Sequence, residues 1–161
     1  MNSPKRVLGF DPGFERLGIA VLEKEGPREK LIHSECLRTA PDLPFPERVR
    51  LLGEAAEKLI RAFKPLAVAL EKVYFENNVK TAMQVAEVCG VLIYIAASYN
   101  LPVFEYTPLQ VKAAVTGSGA SSKQSVARML SRLVVLPEKK RLDDEMDAIA
   151  IALTCLVSER A

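Results

Sequence analysis

Residues 66–70, Leu-Ala-Val-Ala-Leu, form an apolar run with no polar face. Because every side chain is hydrophobic, an extended segment of this composition must be covered from both sides. Strands buried on both faces have this character, and they are typical of sheets that carry helices on each side. The run therefore predicts an α/β protein in which residues 66–70 form an inner strand.

The rest of the chain alternates between strand-like and helix-like patterns. Gly26 and Pro27 separate two short strand patterns and favour an antiparallel three-stranded meander. Ser121 and Gln124 match a capping box that would open a helix. The predicted strands are residues 6–10, 17–23, 31–38, 66–70 and 103–106, and the predicted helices are residues 45–63, 79–99, 108–115, 121–136 and 143–158. This order fits a mixed sheet of five strands with helices on both faces.

The size and composition suit a single globular domain over residues 1–161, of which 49% are hydrophobic. The longest apolar stretch, residues 79–97, is interrupted by Lys80, Gln84 and Glu87. We therefore do not expect it to span a membrane. A helix over residues 79–99 would nevertheless be apolar almost all round, so it needs cover on more than one side. A homodimer would supply that cover, and so would burial between the sheet and another helix.

The sequence gives little support for a site that depends on histidine or cysteine side chains. His33 is the only histidine and falls within a predicted strand, which argues against a serine-protease-like triad and excludes a histidine pair. The cysteines are odd in number and lack a CxxC spacing, which indicates free thiols in a reducing cytoplasm. They are Cys36, Cys89 and Cys155. The chain also lacks a GxxxxGK[ST] phosphate loop.

Positive charge is concentrated in one part of the chain, although the net charge of the whole is only +2. Residues 112–141 carry seven basic side chains against one acid, Glu138. The basic residues are Lys112, Lys123, Arg128, Arg132, Lys139, Lys140 and Arg141. A solvated helix face has this character, and so does a surface that binds nucleic-acid phosphates. Both interpretations stay open on charge alone.

Four acidic residues stand at the ends of predicted core elements. Asp11 follows the first strand and Glu71 follows the run 66–70, so their carboxylates meet if the two strands are parallel neighbours. Asp144 and Asp147 lie three residues apart at the start of the last helix and share one face. Each acid has an ordinary alternative role: a turn former, a strand-end surface acid or a partner of the helix dipole.

Together, the four carboxylates predict a site for hard divalent cations, Mg²⁺ or Mn²⁺, because such ions prefer oxygen ligands. Two divalent ions would balance the charge of four carboxylates. Two-ion sites can activate a water molecule and stabilise the leaving oxygen in phosphodiester hydrolysis. The acids therefore favour a metal-dependent nuclease.

Five sequence blocks carry a resemblance to a known family. They are GFDPGFERLGIAVLE (residues 9–23), LEKVYFENN (70–78), LPVFEYTPLQVK (101–112), GSGASSK (117–123) and DEMDAIAIAL (144–153). In this order they resemble the RuvC family of crossover junction endodeoxyribonucleases. The resemblance spans nearly the whole chain, and its third and fifth blocks are the most specific.

The resemblance implies a ribonuclease-H-like α/β fold and a homodimer that resolves four-way DNA junctions by paired, Mg²⁺-dependent nicks in recombination and repair. The family's metal-binding acids match Asp11, Glu71, Asp144 and Asp147. Its lysines near the scissile phosphate match Lys112 and Lys123, and its base-stacking aromatic residue matches Tyr74, with Phe75 beside it. A branch-migration helicase complex is a further candidate partner.

Three other functions are compatible with parts of the sequence. One is a different ribonuclease-H-like nuclease that acts on RNA or an RNA–DNA hybrid. Another is a non-catalytic nucleic-acid-binding module, although the intact set of four acids argues against it. The third is half of an actin-like ATPase, suggested by the Asp-Pro-Gly turn at residues 11–13; 161 residues hardly allow its second lobe.

Overall fold

The computed structural model describes residues 4–24, 26–74 and 78–159. Within them, a six-stranded sheet is covered by helices on both faces, which confirms the predicted α/β class. In chain order the elements are β1 (Lys5–Asp11), β2 (Arg16–Lys24), β3 (Glu29–Arg38), α1 (Phe45–Phe63), β4 (Ala67–Glu71), α2 (Val79–Ser98), β5 (Val103–Tyr106), α3 (Pro108–Thr116), α4 (Lys123–Leu133), β6 (Val134–Val135) and α5 (Asp143–Ser158).

The strand order across the sheet is β5-β4-β1-β2-β3-β6. The predicted meander is confirmed, because β2 pairs antiparallel with both β1 and β3. The apolar run becomes β4, which lies between β1 and β5 and runs parallel to both. Its residues Ala67, Val68, Ala69 and Leu70 are all buried, as the absence of a polar face predicted. The prediction was wrong for Leu66, which precedes β4 and is 47% exposed.

Alternating side chains of the strands divide the core into two layers. Leu8 and Phe10 of β1 pack with Leu52 of α1 and Leu92 of α2. On the opposite face, Val7 belongs to the layer formed mainly with α3, α4 and α5. Burying one large apolar side chain contributes about 1.5–3 kcal/mol, so these two layers hold the helices against the sheet.

Two predicted details near α4 are wrong. The helix begins after Ser122, whose side chain accepts a hydrogen bond from the Ser125 amide at 3.2 Å. The Ser121 hydroxyl instead donates to the Ser118 carbonyl oxygen at 2.8 Å. The helix also ends before residues 134–135, which pair with β3 as the short strand β6. The β-branched pair Val134–Val135 favours strand structure, so the sheet has six strands rather than five.

Helix α2 is only partly covered. Val88, Cys89, Leu92 and Ala96 are buried against the rest of the chain, so its inner side fits the predicted packing on the sheet layer. Its outer side carries exposed apolar residues, Val79, Met83 and Tyr94. By length and composition alone, α2 is the one helix in the described part of the chain that could cross a membrane.

Candidate active site

Asp11 and Glu71 lie side by side at one end of the sheet. Each is the last residue of its strand, and the preceding residues Phe10 and Leu70 are in register between β1 and β4. These strands are parallel, so both carboxyl ends reach the same edge. The negative charge of Glu71 and a side-chain contact with it both help to raise the pKa of Asp11. The strand arrangement on which the sequence prediction depended is therefore present.

Two glycines let α5 come close to this edge. A Cβ atom on Gly18 would lie 2.1 Å from the Asp144 carbonyl oxygen, and one on Gly9 would lie 2.7 Å from that of Ala148. Any side chain at either position would push the helix off the sheet. The absence of these side chains lets α5 carry Asp144 and Asp147 to the carboxyl end of β1. This role of the two glycines was not predicted from the sequence.

Burial and neighbouring carboxylates raise the pKa values of Asp11, Glu71 and Asp147. Burial, followed by the negative charges of Glu71, Asp147 and Asp144, raises the pKa of Asp11 to about 8. Burial and Asp147 also raise the pKa of Glu71, although Asp11, Lys123 and Lys112 oppose this. Burial raises the pKa of Asp147 despite the opposing charge of Lys123. A divalent cation would relieve this repulsion, and carboxylate oxygens are suitable ligands for it.

Cationic and thiol groups contact Asp144 and Asp147 of α5. Lys123 Nζ lies 3.5 Å from Asp147 Oδ2, while Arg16 Nη1 lies 3.7 Å from Asp144 Oδ2. The Cys36 thiol is also 3.7 Å from Asp144 Oδ2. In this arrangement, no three histidine, cysteine or acidic side chains of residues 4–24, 26–74 and 78–159 are grouped closely enough to hold a metal ion.

Sequence reasoning missed Arg16 and Cys36. They reach Asp144 from two neighbouring strands of the meander, because Gly18, two residues after Arg16, is paired with Cys36 in the β2–β3 register. That register is a tertiary property. The available signal was that Cys36 lies on a predicted strand and Arg16 directly precedes one, which indicated neither their side-chain directions nor the approach of α5.

Two cavities open beside Glu71. One of about 250 Å³ is lined by Glu71, Asp147, Lys112 and Lys123, so both predicted lysines face the acids. The other, of about 310 Å³, is lined by Glu71 and by Tyr74, which is half-exposed. Phe75, the second aromatic candidate, lies outside the described residues. The largest cavity, about 610 Å³, lies elsewhere on the molecule.

The chain is similar to known proteins over almost its full length. The model of the family "Crossover junction endodeoxyribonuclease RuvC" matches residues 7–155. The RuvC protein of Desulforamulus reducens is 42% identical over 147 residues, which cover 91% of this chain and 90% of the relative. That of Brevibacillus brevis is 39% identical over 149 residues, covering 92% and 90%.

Solved structures agree with these sequence matches. Thermus thermophilus RuvC in complex with a Holliday junction substrate has a TM-score of 0.89 and 35% identity, covering 94% of this chain and 93% of that one. The yeast mitochondrial Holliday junction resolvase Ydc2 has a TM-score of 0.70, covering 93% and 77%, and at 16% identity it supports the fold alone. Family model, relatives and fold agree: the chain belongs to the crossover junction endodeoxyribonuclease RuvC family.

Proposed function

We propose that this chain resolves four-way DNA junctions by hydrolysing phosphodiester bonds in paired, metal-dependent nicks. One observation carries the proposal: Asp11, Glu71, Asp144 and Asp147 converge at one end of the sheet. Lys112 and Lys123 line the adjoining cavity, so positive charge stands beside the acids. The Thermus relative bound to a Holliday junction supports the choice of substrate.

Divalent-metal dependence is general in this family. For this chain we propose Mg²⁺, two ions in each site, held by the four carboxylates after these draw closer together than they stand in the metal-free arrangement. Their oxygen donors, and the raised pKa values of Asp11, Glu71 and Asp147, fit hard cations that neutralise negative charge. When bound, the ions supply water activation and stabilisation of the charge that develops on the phosphate.

The lysines contribute in a different way. Lys112 and Lys123 hold point charges beside the cavity, where they bind and orient the phosphate of the strand to be cut. Lys123 contacts Asp147 in this structure, so its side chain already spans the distance between the acids and the cavity. Together the two lysines favour binding of the phosphate, because their positive charges offset the repulsion between the phosphate and the carboxylates.

Aromatic contacts complete the proposed substrate surface. Tyr74 lines the second cavity together with Glu71, so a base stacked on Tyr74 lies next to the catalytic edge. Its half-exposed ring is available for such stacking. We retain Phe75 as a second candidate from the sequence. Unpaired bases at a junction crossover suit this surface better than the stacked bases of a linear duplex.

We further propose that the chain acts as a homodimer in the bacterial cytoplasm. Val79, Met83 and Tyr94 are 63%, 53% and 73% exposed on the outer side of α2, an extent of apolar exposure that is costly for a monomer in water. A twofold pair of chains would cover this face. It would also bring two catalytic sites to one junction, as paired nicks require.

Cleavage of synthetic substrates tests the proposal. The chain is incubated with a four-way junction, a linear duplex of the same sequence and an RNA–DNA hybrid, each with Mg²⁺ or with EDTA. We expect symmetric nicks in the junction that depend on Mg²⁺, and little cleavage of the other two substrates. Preferential cutting of the hybrid would instead identify a ribonuclease. Binding of the junction without cleavage in the presence of any divalent metal would instead identify a non-catalytic nucleic-acid-binding module.

A further inference from the structure

Glu145 is a buried acid that lies between Asp144 and Asp147 in α5. It is 4% exposed, whereas the side chain of its neighbour Asp143 is 84% exposed. Burying a carboxylate costs several kcal/mol unless hydrogen bonds and opposite charges compensate. A charged residue in such a position therefore needs a specific set of partners.

Those partners come from three parts of the chain. Oε1 of Glu145 accepts hydrogen bonds from Ser34 Oγ of β3 at 2.9 Å and from Lys139 Nζ at 3.3 Å. Oε2 accepts from the backbone amide of Leu142 at 3.0 Å, which closes the first turn of α5. Burial opposes ionisation, but the Leu142 amide, Ser34 and Lys139 outweigh it and lower the pKa of Glu145.

The same contacts fold the basic segment at residues 137–142 against the sheet. Arg141 donates from Nε to Ser34 Oγ at 3.3 Å, and its terminal nitrogens donate to the carbonyl oxygens of Lys139 at 3.3 Å and Pro137 at 2.9 Å. Two of the three consecutive basic residues thus hold the segment in place. The third, Lys140, is exposed and faces solvent.

We propose that Glu145 is a positioning residue of the nuclease: by joining Ser34, Lys139 and the Leu142 amide, it fixes the first turn of α5 and thereby the directions of the Asp144 and Asp147 carboxylates toward the metal ions. The proposal rests on the proposed metal-dependent function. Asp144 and Asp147 lie on either side of Glu145 in sequence, so a displaced turn moves both carboxylates together. Displacement of this turn therefore weakens metal binding rather than junction binding.

The test measures metal binding without catalysis. Thermal unfolding is followed during a MgCl₂ titration, and the Mg²⁺ dissociation constant that fits the logarithmic rise of Tm is compared between variants. Glu145→Gln keeps the size of the side chain but loses the charge that pairs with Lys139. Glu23→Gln is the matched control, because Glu23 is 5% exposed and pairs with Arg6 at 2.6 Å, near the opposite end of β2 from Gly18.

We expect Glu145→Gln to raise the Mg²⁺ dissociation constant about tenfold, within the range of about 10–100-fold found when groups that orient metal ligands are removed. Glu23→Gln should lower the metal-free Tm and leave the dissociation constant unchanged. Ser34→Ala, a milder change for use if Glu145→Gln does not fold, should raise the dissociation constant by a smaller factor than Glu145→Gln.

An unchanged Mg²⁺ requirement in folded Glu145→Gln, or in Ser34→Ala, would overturn the positioning role and leave Glu145 a structural residue. An equal rise of the Mg²⁺ requirement in Glu23→Gln would overturn the positioning role too, because the effect would then come from a general loss of stability. A wild-type chain whose Tm does not respond to Mg²⁺ would refute the proposed metal site itself. The two failures are therefore distinguishable.

Discussion

The ammonium group of Lys123 lies 3.5 Å from Oδ2 of Asp147 and also 3.5 Å from Oδ2 of Asp143. Burial lowers the pKa of Lys123, but the two carboxylates outweigh this effect and raise it. The two aspartates differ in surroundings, because the side chain of Asp143 is 84% exposed and that of Asp147 is 42% exposed. Substituting Asp143 and Asp147 in turn therefore separates the effect of losing a proposed metal ligand from the effect of losing a nearby charge.

Asp147→Asn should lower the rate of junction cleavage by at least about 100-fold, because it removes a ligand charge from the proposed metal site. Junction affinity should persist or rise, since a negative charge next to the phosphates is lost. Asp143→Asn, which also loses a contact with Lys123, should cleave at nearly the wild-type rate. Gel-shift binding and strand cleavage are measured side by side. Near-normal cleavage by Asp147→Asn would refute its assignment as a ligand.

Lys123→Ala should slow cleavage and reduce the slope of log affinity against log salt by about 1, because one phosphate contact is lost. The control is Lys58→Ala, an exposed lysine on α1. It should leave both quantities unchanged. Binding is measured between 50 and 200 mM salt, a range in which contacts with phosphates have large effects. An unaltered slope and rate in Lys123→Ala would remove this residue from the DNA surface.

The raised pKa of Asp11 predicts an unusual pH dependence of the free energy of unfolding. Its pKa is raised from 3.8 to about 8 by burial and neighbouring acids, so the folded metal-free chain keeps a proton that the unfolded chain releases above about pH 4. This group therefore lowers the free energy of unfolding as the pH rises from about 4 toward 8. Asp11→Asn removes that contribution, and its metal-free Tm at pH 8 should exceed that of the wild type by at least about 3 °C.

Calorimetry at pH 6 and pH 8 in EDTA checks this prediction. Asp42→Asn, which alters an exposed aspartate, serves as the control and should follow the wild type. Mg²⁺ competes with the proton for the Asp11 carboxylate, so less Mg²⁺ should be needed for stabilisation of the wild type at pH 8 than at pH 6. A wild-type Tm that falls no more than that of Asp11→Asn between these pH values would contradict the raised pKa.

Tyr94→Glu should convert the proposed dimer into a monomer, because it places a charge on the exposed apolar face of α2. Light scattering at micromolar concentration should give twice the chain mass of 17.7 kDa for the wild type and the single mass for the variant. Val157→Glu, at a half-exposed position near the end of α5, should remain dimeric. A monomeric wild type would refute the dimer.

Local sequence patterns determined most of the helices and strands. The helices over residues 45–63 and 143–158 and the strand over residues 103–106 have the bounds predicted for them. In each case the apolar spacing and the flanking proline or acid agree with the final structure. The error at α4 has a similar origin: Ser121 and Ser122 can both cap a helix, and only their packing decides between them.

The candidate site was predicted in its residues but not in its geometry. The acids Asp11 and Glu71 stand out in the sequence because each follows an apolar strand, yet their contact depends on the parallel pairing of β1 with β4. Likewise, the close packing of α5 against Gly18 and the contact between Arg16 and Asp144 exist only in the folded chain. Local composition encodes strands and helices through short-range periodicity, whereas these contacts depend on strand register and helix packing between segments far apart in sequence.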